Sequence, residues 1–310
     1  MHFLKKIKLV TAFLVFSIFP LNLWAVELSK HEWKFIESYL PMAAKSNHFS
    51  EVVAGIIIAN QTGHLNQLEL LYSRARAIGY ENKLWVDHEI KSCLIAKENK
   101  NCDLELLISQ LKKLDSENAL PYVYSALFRA KNREWSLALA DLEKAASRKK
   151  YDDYYFKRFS LLLEVLKNSD FPTEYLHTAS IKLAHYMVVQ PYKKLMDLCN
   201  AQAKLSRDWK VTCIQLGELL ESEGTIFYAN MVGFALQREA LSNDEKDTKK
   251  LVKVKADREA LNQWRINAVQ ILDFIEAKKK GPDSYYADLI NLGERKAIEN
   301  ALKLITNKGL

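Results

Sequence analysis

Cysteines, histidines and one aromatic run with basic neighbours are the residues whose types and spacing bear on chemistry in this sequence. Beyond the first 25 residues the histidines are His31, His48, His64, His88, His177 and His185. None forms an HExxH pair, since "DHEIKS" supplies the first two letters without the second histidine. They read as surface or hydrogen-bonded side chains rather than metal ligands. No G-x-S-x-G elbow, P-loop or dinucleotide-binding glycine pattern occurs. The expectation is a protein with no catalysis, no cofactor and no metal.

The four cysteines are Cys93, Cys102, Cys199 and Cys213. Neither close pair has the C-x₂₋₄-C spacing of a zinc site. A thiol nucleophile would need a free, low-pKa cysteine beside a histidine, which paired cysteines exclude. Sequence alone allows three pairings. In "SCLIAKENKNCDL" and "LCNAQAKLSRDWKVTC", however, each pair flanks the turn between two helical patterns. An antiparallel helix pair brings such positions within disulfide reach. That favours Cys93–Cys102 and Cys199–Cys213.

Recognition chemistry concentrates in "YDDYYFKRF", residues 151–159, beside Lys149 and Lys150. Tyrosine and arginine are favoured at interface hot spots, so Tyr151, Tyr154, Tyr155, Lys157 and Arg158 are candidate partner-binding residues. Packing between consecutive helical hairpins is the competing reading of the same cluster.

The elements that must position these residues are helices. The 310 residues include 49% apolar and 27% charged side chains, enough for a large core. Glycine (9) and proline (6) are too few for the tight turns of sheet proteins. Successive segments carry apolar residues at helical spacing, and none shows sustained two-residue alternation. The fold class expected is all-α. The first helix should stop near Pro41. A long helix should run from a cap at Asn243 or Asp244 to Gly281-Pro282, followed by a last helix near 284–306.

The opening "MHFLKKIKLVTAFLVFSIFPLNLWAVE" has a basic start, an apolar run and a small residue at Ala25. That is the order of a cleavable signal peptide over residues 1–25. The expectation is export to a periplasmic or secreted location, with no membrane span in the mature chain. Removing Lys5, Lys6 and Lys8 from the formal charge of +7 leaves +4. That charge is too dispersed for nucleic acid.

One unit, "LDSENALPYVYSALFRAKNREWSLALADLEKAASRKK" at 114–150, resembles a tetratricopeptide (TPR) repeat. Ala126 holds the small position of the first helix, with Tyr122 a turn earlier. Ala138 and Ala145 hold those of the second, with Leu142 between. Arg129 and Lys150 depart from the aromatic and the proline favoured at those places. The resemblance implies an α-solenoid of helical hairpins over residues 26–191; from 192 the chain is richer in apolar residues and carries Gly217, Gly224 and Gly233, and 192–310 reads as a helical C-terminal region. It further implies a protein- or peptide-binding scaffold whose partner is another envelope protein or peptide. Oligomeric state does not follow from it.

The alternative is a cell-wall glycan-acting enzyme or its accessory subunit. Glu221-Ser222 in "LLESEG" resembles the Glu-Ser pair of lytic transglycosylases, but the glycine-rich turn that accompanies that pair is missing. A basic stretch, Lys249, Lys250, Lys253 and Lys255, reads as a solvated helix face or as a contact for an anionic partner.

Overall fold

The computed structural model describes residues 30–79, 81–95, 102–171, 176, 180, 183–184, 190–242, 245–277 and 282–308. The expected signal segment 1–25, the caps Asn243 and Asp244, and Gly281 lie outside them. The protein is all-α, and no strand occurs among the described residues.

The first three helices are α1 (Lys30–Ala43), α2 (Phe49–Thr62) and α3 (Leu65–Ile78). Helix α1 runs through Pro41 instead of stopping there. So near the C-terminus, the proline deprives only the last turn of a hydrogen bond. Helix α2 is apolar all round from Val52 to Ala59 and buried throughout that run, as a helix covered on every side must be. It ends on Gly63, left-handed at φ +78°. Helix α3 buries only a stripe, Leu68, Leu71 and Ala75.

Helices α4 (Lys83–Ile95) and α5 (Leu104–Leu114) follow, then the hairpin of α6 (Leu120–Lys131) and α7 (Trp135–Ala146). The Asp103 side chain caps α5 by accepting from the Leu106 amide at 2.9 Å. Ala126, Ala138, Leu142 and Ala145 are fully buried, so small and large residues alternate where α6 and α7 touch. Arg129 does not pack as an aromatic would. It holds Glu134 and Glu105, each at 2.7 Å.

The remaining helices are α8 (Tyr155–Lys167), α9 (Gln190–Gln202), α10 (Arg207–Glu223), α11 (Phe227–Leu241), α12 (Thr248–Ala277), α13 (Pro282–Leu292) and α14 (Glu294–Lys308). The single last helix expected near 284–306 is in fact two. Gly293, at φ +83°, breaks it, a conformation that a helix cannot contain.

The stacking order differs from the sequence order. Helix α6 packs on α9, and α7 on α10. Isolated parallel bridges join Asn118 to Lys150 and Tyr151 to Gly224. The start of α6 and the ends of α7 and α10 therefore share one edge, and α7 runs parallel to α10. The hairpin beside α6–α7 is thus α9–α10, and the segment between them leaves the row. Its helix α8 is enclosed, packed on α2 and α13 and bonded to α4 through Arg158 and Asp87. One buried cluster extends from Ile36 to Ala297, across residue 191. A smaller one, with Phe227, Phe234, Leu241, Val254 and Leu261, seats α12 on α11. No helix among the described residues is long and apolar enough to cross a membrane.

Candidate functional site

Polar side chains gather in two places, one inside the fold and one on its surface. The interior junction centres on Asp87, Lys91, Asp153 and Arg158, none more than 4% exposed. Asp87 Oδ2 accepts from Lys91 Nζ at 2.8 Å and from Arg158 Nη1 at 3.0 Å. Its Oδ1 accepts from the Tyr124 hydroxyl at 2.7 Å. Asp153 Oδ2 accepts from the Tyr192 hydroxyl at 2.9 Å, and Oδ1 from the Tyr155 amide at 3.0 Å. Two carboxylates thus face two cations, and the junction ties α4, α6, α8 and α9 together.

Burial sets the proton affinities of this junction. It pushes the Lys91 ammonium below its ordinary value, with Arg158 adding repulsion and Asp87 opposing. It pushes the Asp153 carboxyl up, against the attraction of Arg158 and Lys91. Alongside, Lys150 and the Tyr154 hydroxyl bond Asp115 at 2.8 and 3.0 Å. Burial alone would raise Asp115, but those bonds and the Lys83 charge hold it below the ordinary carboxylate range.

The 151–159 cluster therefore belongs to the interior, which corrects the partner-binding reading. Tyr151 and Tyr154 are fully buried, and Tyr155 and Arg158 nearly so. Only Lys157 reaches solvent, and it pairs with Asp152. Apolar rings that enclose a buried ion pair have no free face for a partner. Asp87, Lys91 and Tyr192 went unnoticed in the sequence, because an Asp–Lys pair at i,i+4 normally marks an exposed helix face.

The disulfides are Cys93–Cys102 and Cys199–Cys213, with Cα separations of 6.1 and 5.8 Å. Each spans the turn of a helical hairpin, α4–α5 and α9–α10. Among the described histidines, His64 Nδ1 lies 2.8 Å from the Thr62 hydroxyl and His88 Nε2 lies 2.9 Å from that of Tyr72. His177 and His185 fall outside the described residues. Among those residues no group of three or more His, Cys, Asp or Glu could hold a metal ion. Glu221 accepts from Gln237 Nε2 at 2.7 Å, beside the crossing of α10 and α11.

On the surface, a groove of about 400 Å³ lies between the end of α1 and α3. Pro41, Ala44, Leu70 and Ala77 give it apolar walls, and Lys45, Gln67, Ser73 and Arg74 its polar ones. Leu70 is 60% exposed there, although it lies on a packed helix. Arg74 is held in place, its Nε donating to the Ser46 carbonyl at 2.7 Å and its Nη2 to the Asn47 side chain.

No protein-family model, curated protein or solved structure matches the chain.

Proposed function

We propose that the protein is an exported scaffold of TPR-like helical hairpins that binds a segment of another envelope protein, without catalysis of its own. The observation that carries this reading is the groove between α1 and α3, with Leu70 exposed on one wall and Arg74 fixed on the same helix. Helical arrays expose long faces to partners, and here α8 fills the interior beside α2, α4 and α13. Binding is therefore assigned to the outer groove. The basic opening with its apolar run supports export, and the two disulfides fit an oxidising compartment.

The test is a photo-crosslinking residue placed at Ser73 in the native cells, with exposed Glu143 on α7 as the control position. The expected result is one envelope protein captured in near-stoichiometric amount from position 73, not from 143, and lost with Leu70→Asp. Equal capture at both positions, or none at 73, removes the reading. Leu70 is exposed, so its replacement tests the groove and not the core.

A further inference from the structure

The groove wall α3 is joined to α4 mainly through side chains, and the central link is a short hydrogen-bond chain. Asn60 on α2 directs its Nδ2 to the Ile56 carbonyl at 3.0 Å and to the Tyr72 hydroxyl at 3.3 Å. The Tyr72 oxygen accepts there, and its own hydrogen can point to His88 Nε2, 2.9 Å away. For His88 to accept at Nε2 its ring must be neutral, with the hydrogen on Nδ1. The ring also stacks on Trp85 one turn earlier, at 5.8 Å and 19°. Only 6% of the residue is exposed.

We infer that His88 is a proton-sensitive latch: its ring stays neutral while the Asn60–Tyr72–His88 chain is closed, and mild acid favours an opening in which the ring takes up a proton and α3, with its wall of the groove, parts from α4. This regulation rests on the binding role proposed for that groove. A protonated Nε2 would donate toward Tyr72, whose hydroxyl would then lose its acceptor. The new charge would also be surrounded by charges of the same sign. Lys91 lies on the same helix and Arg158 faces it from α8, with Asp87 bonded to both and Asp153 beside them as the opposing carboxylates. From α3 the facing charges are Arg76 and its partner Glu89 across the helix gap, at 2.8 Å. That pair is self-compensated. Burial, reinforced by Arg158 and Lys91, accordingly lowers the His88 pKa to about 3.

The sign follows from linkage. A histidine whose folded pKa lies below its unfolded value contributes stability above about pH 6.5. That stability is lost as pH falls toward the folded value. Any opening that hydrates His88 becomes roughly 25-fold more favourable at pH 5 than at neutral pH. Tyr72 carries the hydrogen-bonded link from His88 to α3, so an opening that hydrates the ring on that side parts α3 from α4.

Hydrogen exchange of the full chain at pH 7 and pH 5, corrected for intrinsic exchange, tests the latch without any partner. Amides of α3 (65–78) should lose protection about 25-fold at pH 5, and those of α7 (135–146) should not. His88→Gln, neutral at both values, should abolish the difference. Unchanged α3 protection in the wild type, or a difference that persists in His88→Gln, overturns the proposal. A second measurement does not depend on the variant folding. Ring nitrogen shifts of wild-type His88 should report a neutral Nδ1–H tautomer at pH 5, and a titration near pH 6.5 in the folded protein overturns it equally. Failure of the latch leaves the neutral-pH crosslink at Ser73 unaffected, so the two readings fall separately.

Discussion

Gly217 and Gly233 meet where α10 crosses α11, so closely that a Cβ built on Gly233 would lie 2.5 Å from the Gly217 carbonyl oxygen. A Cβ on Gly217 would sit 2.7 Å from the Gly233 oxygen. Both obstacles are backbone and cannot rotate away. Alanine normally stabilises a helix by about 1 kcal/mol relative to glycine. Here the clash should win. Gly217→Ala and Gly233→Ala are each expected to lose about 2–4 kcal/mol, read by urea unfolding. A neutral or stabilising result would mean that α10 and α11 separate at little cost.

Gly293 couples the C-terminal hairpin to the body of the fold. Its φ is +83°, and an added Cβ would meet the Thr225 oxygen at 2.7 Å. The next residue completes the joint. The Glu294 amide donates to the Thr225 carbonyl at 2.9 Å, and its carboxylate accepts from the Phe227 amide at 2.7 Å. Gly293→Ala should cost about 2–3 kcal/mol and make α13–α14 the first segment cut by a protease. Glu294→Gln keeps an acceptor and should cost about 1 kcal/mol or less. Equal protease resistance in wild type and Gly293→Ala would refute the joint.

Arg158 and Asp87 form a buried pair with a shared partner, Lys91. Arg158→Met leaves one cation against Asp87, and Asp87→Asn leaves two cations short of a carboxylate. Breaking a buried pair from one side costs about 3–5 kcal/mol. Each single variant should fall in that range, and the double variant should cost clearly less than their sum. Additive losses would show that the two residues act independently.

The two disulfides should differ in susceptibility. Cys199 and Cys213 are fully buried, whereas Cys93 and Cys102 are partly exposed. Mild thiol reductant without denaturant should open Cys93–Cys102 first, as counted by alkylation and peptide mapping. Replacing Cys199 and Cys213 by alanine should cost about 3 kcal/mol from loop closure in the unfolded chain. Simultaneous reduction of both bonds would contradict the difference in burial.

Local features were the ones legible in the sequence. The hairpin at 114–150 and both cysteine pairs could be read because each depends on residues close together in the chain. The break at Gly293 could not: one apolar stripe continues through it, and the close approach to Thr225 joins residues far apart in sequence. The 151–159 cluster stayed between two readings, partner contact and packing, for a related reason. Tyrosines beside lysines look alike on a surface and around a buried ion pair, and the deciding partners, Asp87 and Tyr192, lie far away in sequence. The surface groove gave no sequence signal, since it arises from the angle at which α1 ends against α3.

The row order has a consequence for how the chain is made. Helix α7 ends at Ala146, but the helix that covers it, α10, begins only at Arg207. During synthesis, the α6–α7 hairpin therefore emerges with an apolar flank that its later neighbours do not yet cover. It stays bare while the whole excursion through α8 follows. Long waits of this kind slow folding and invite association between unfinished chains. The molecule thus carries a period of vulnerability in its biogenesis, set by topology, which ends when α9 and α10 close over the hairpin.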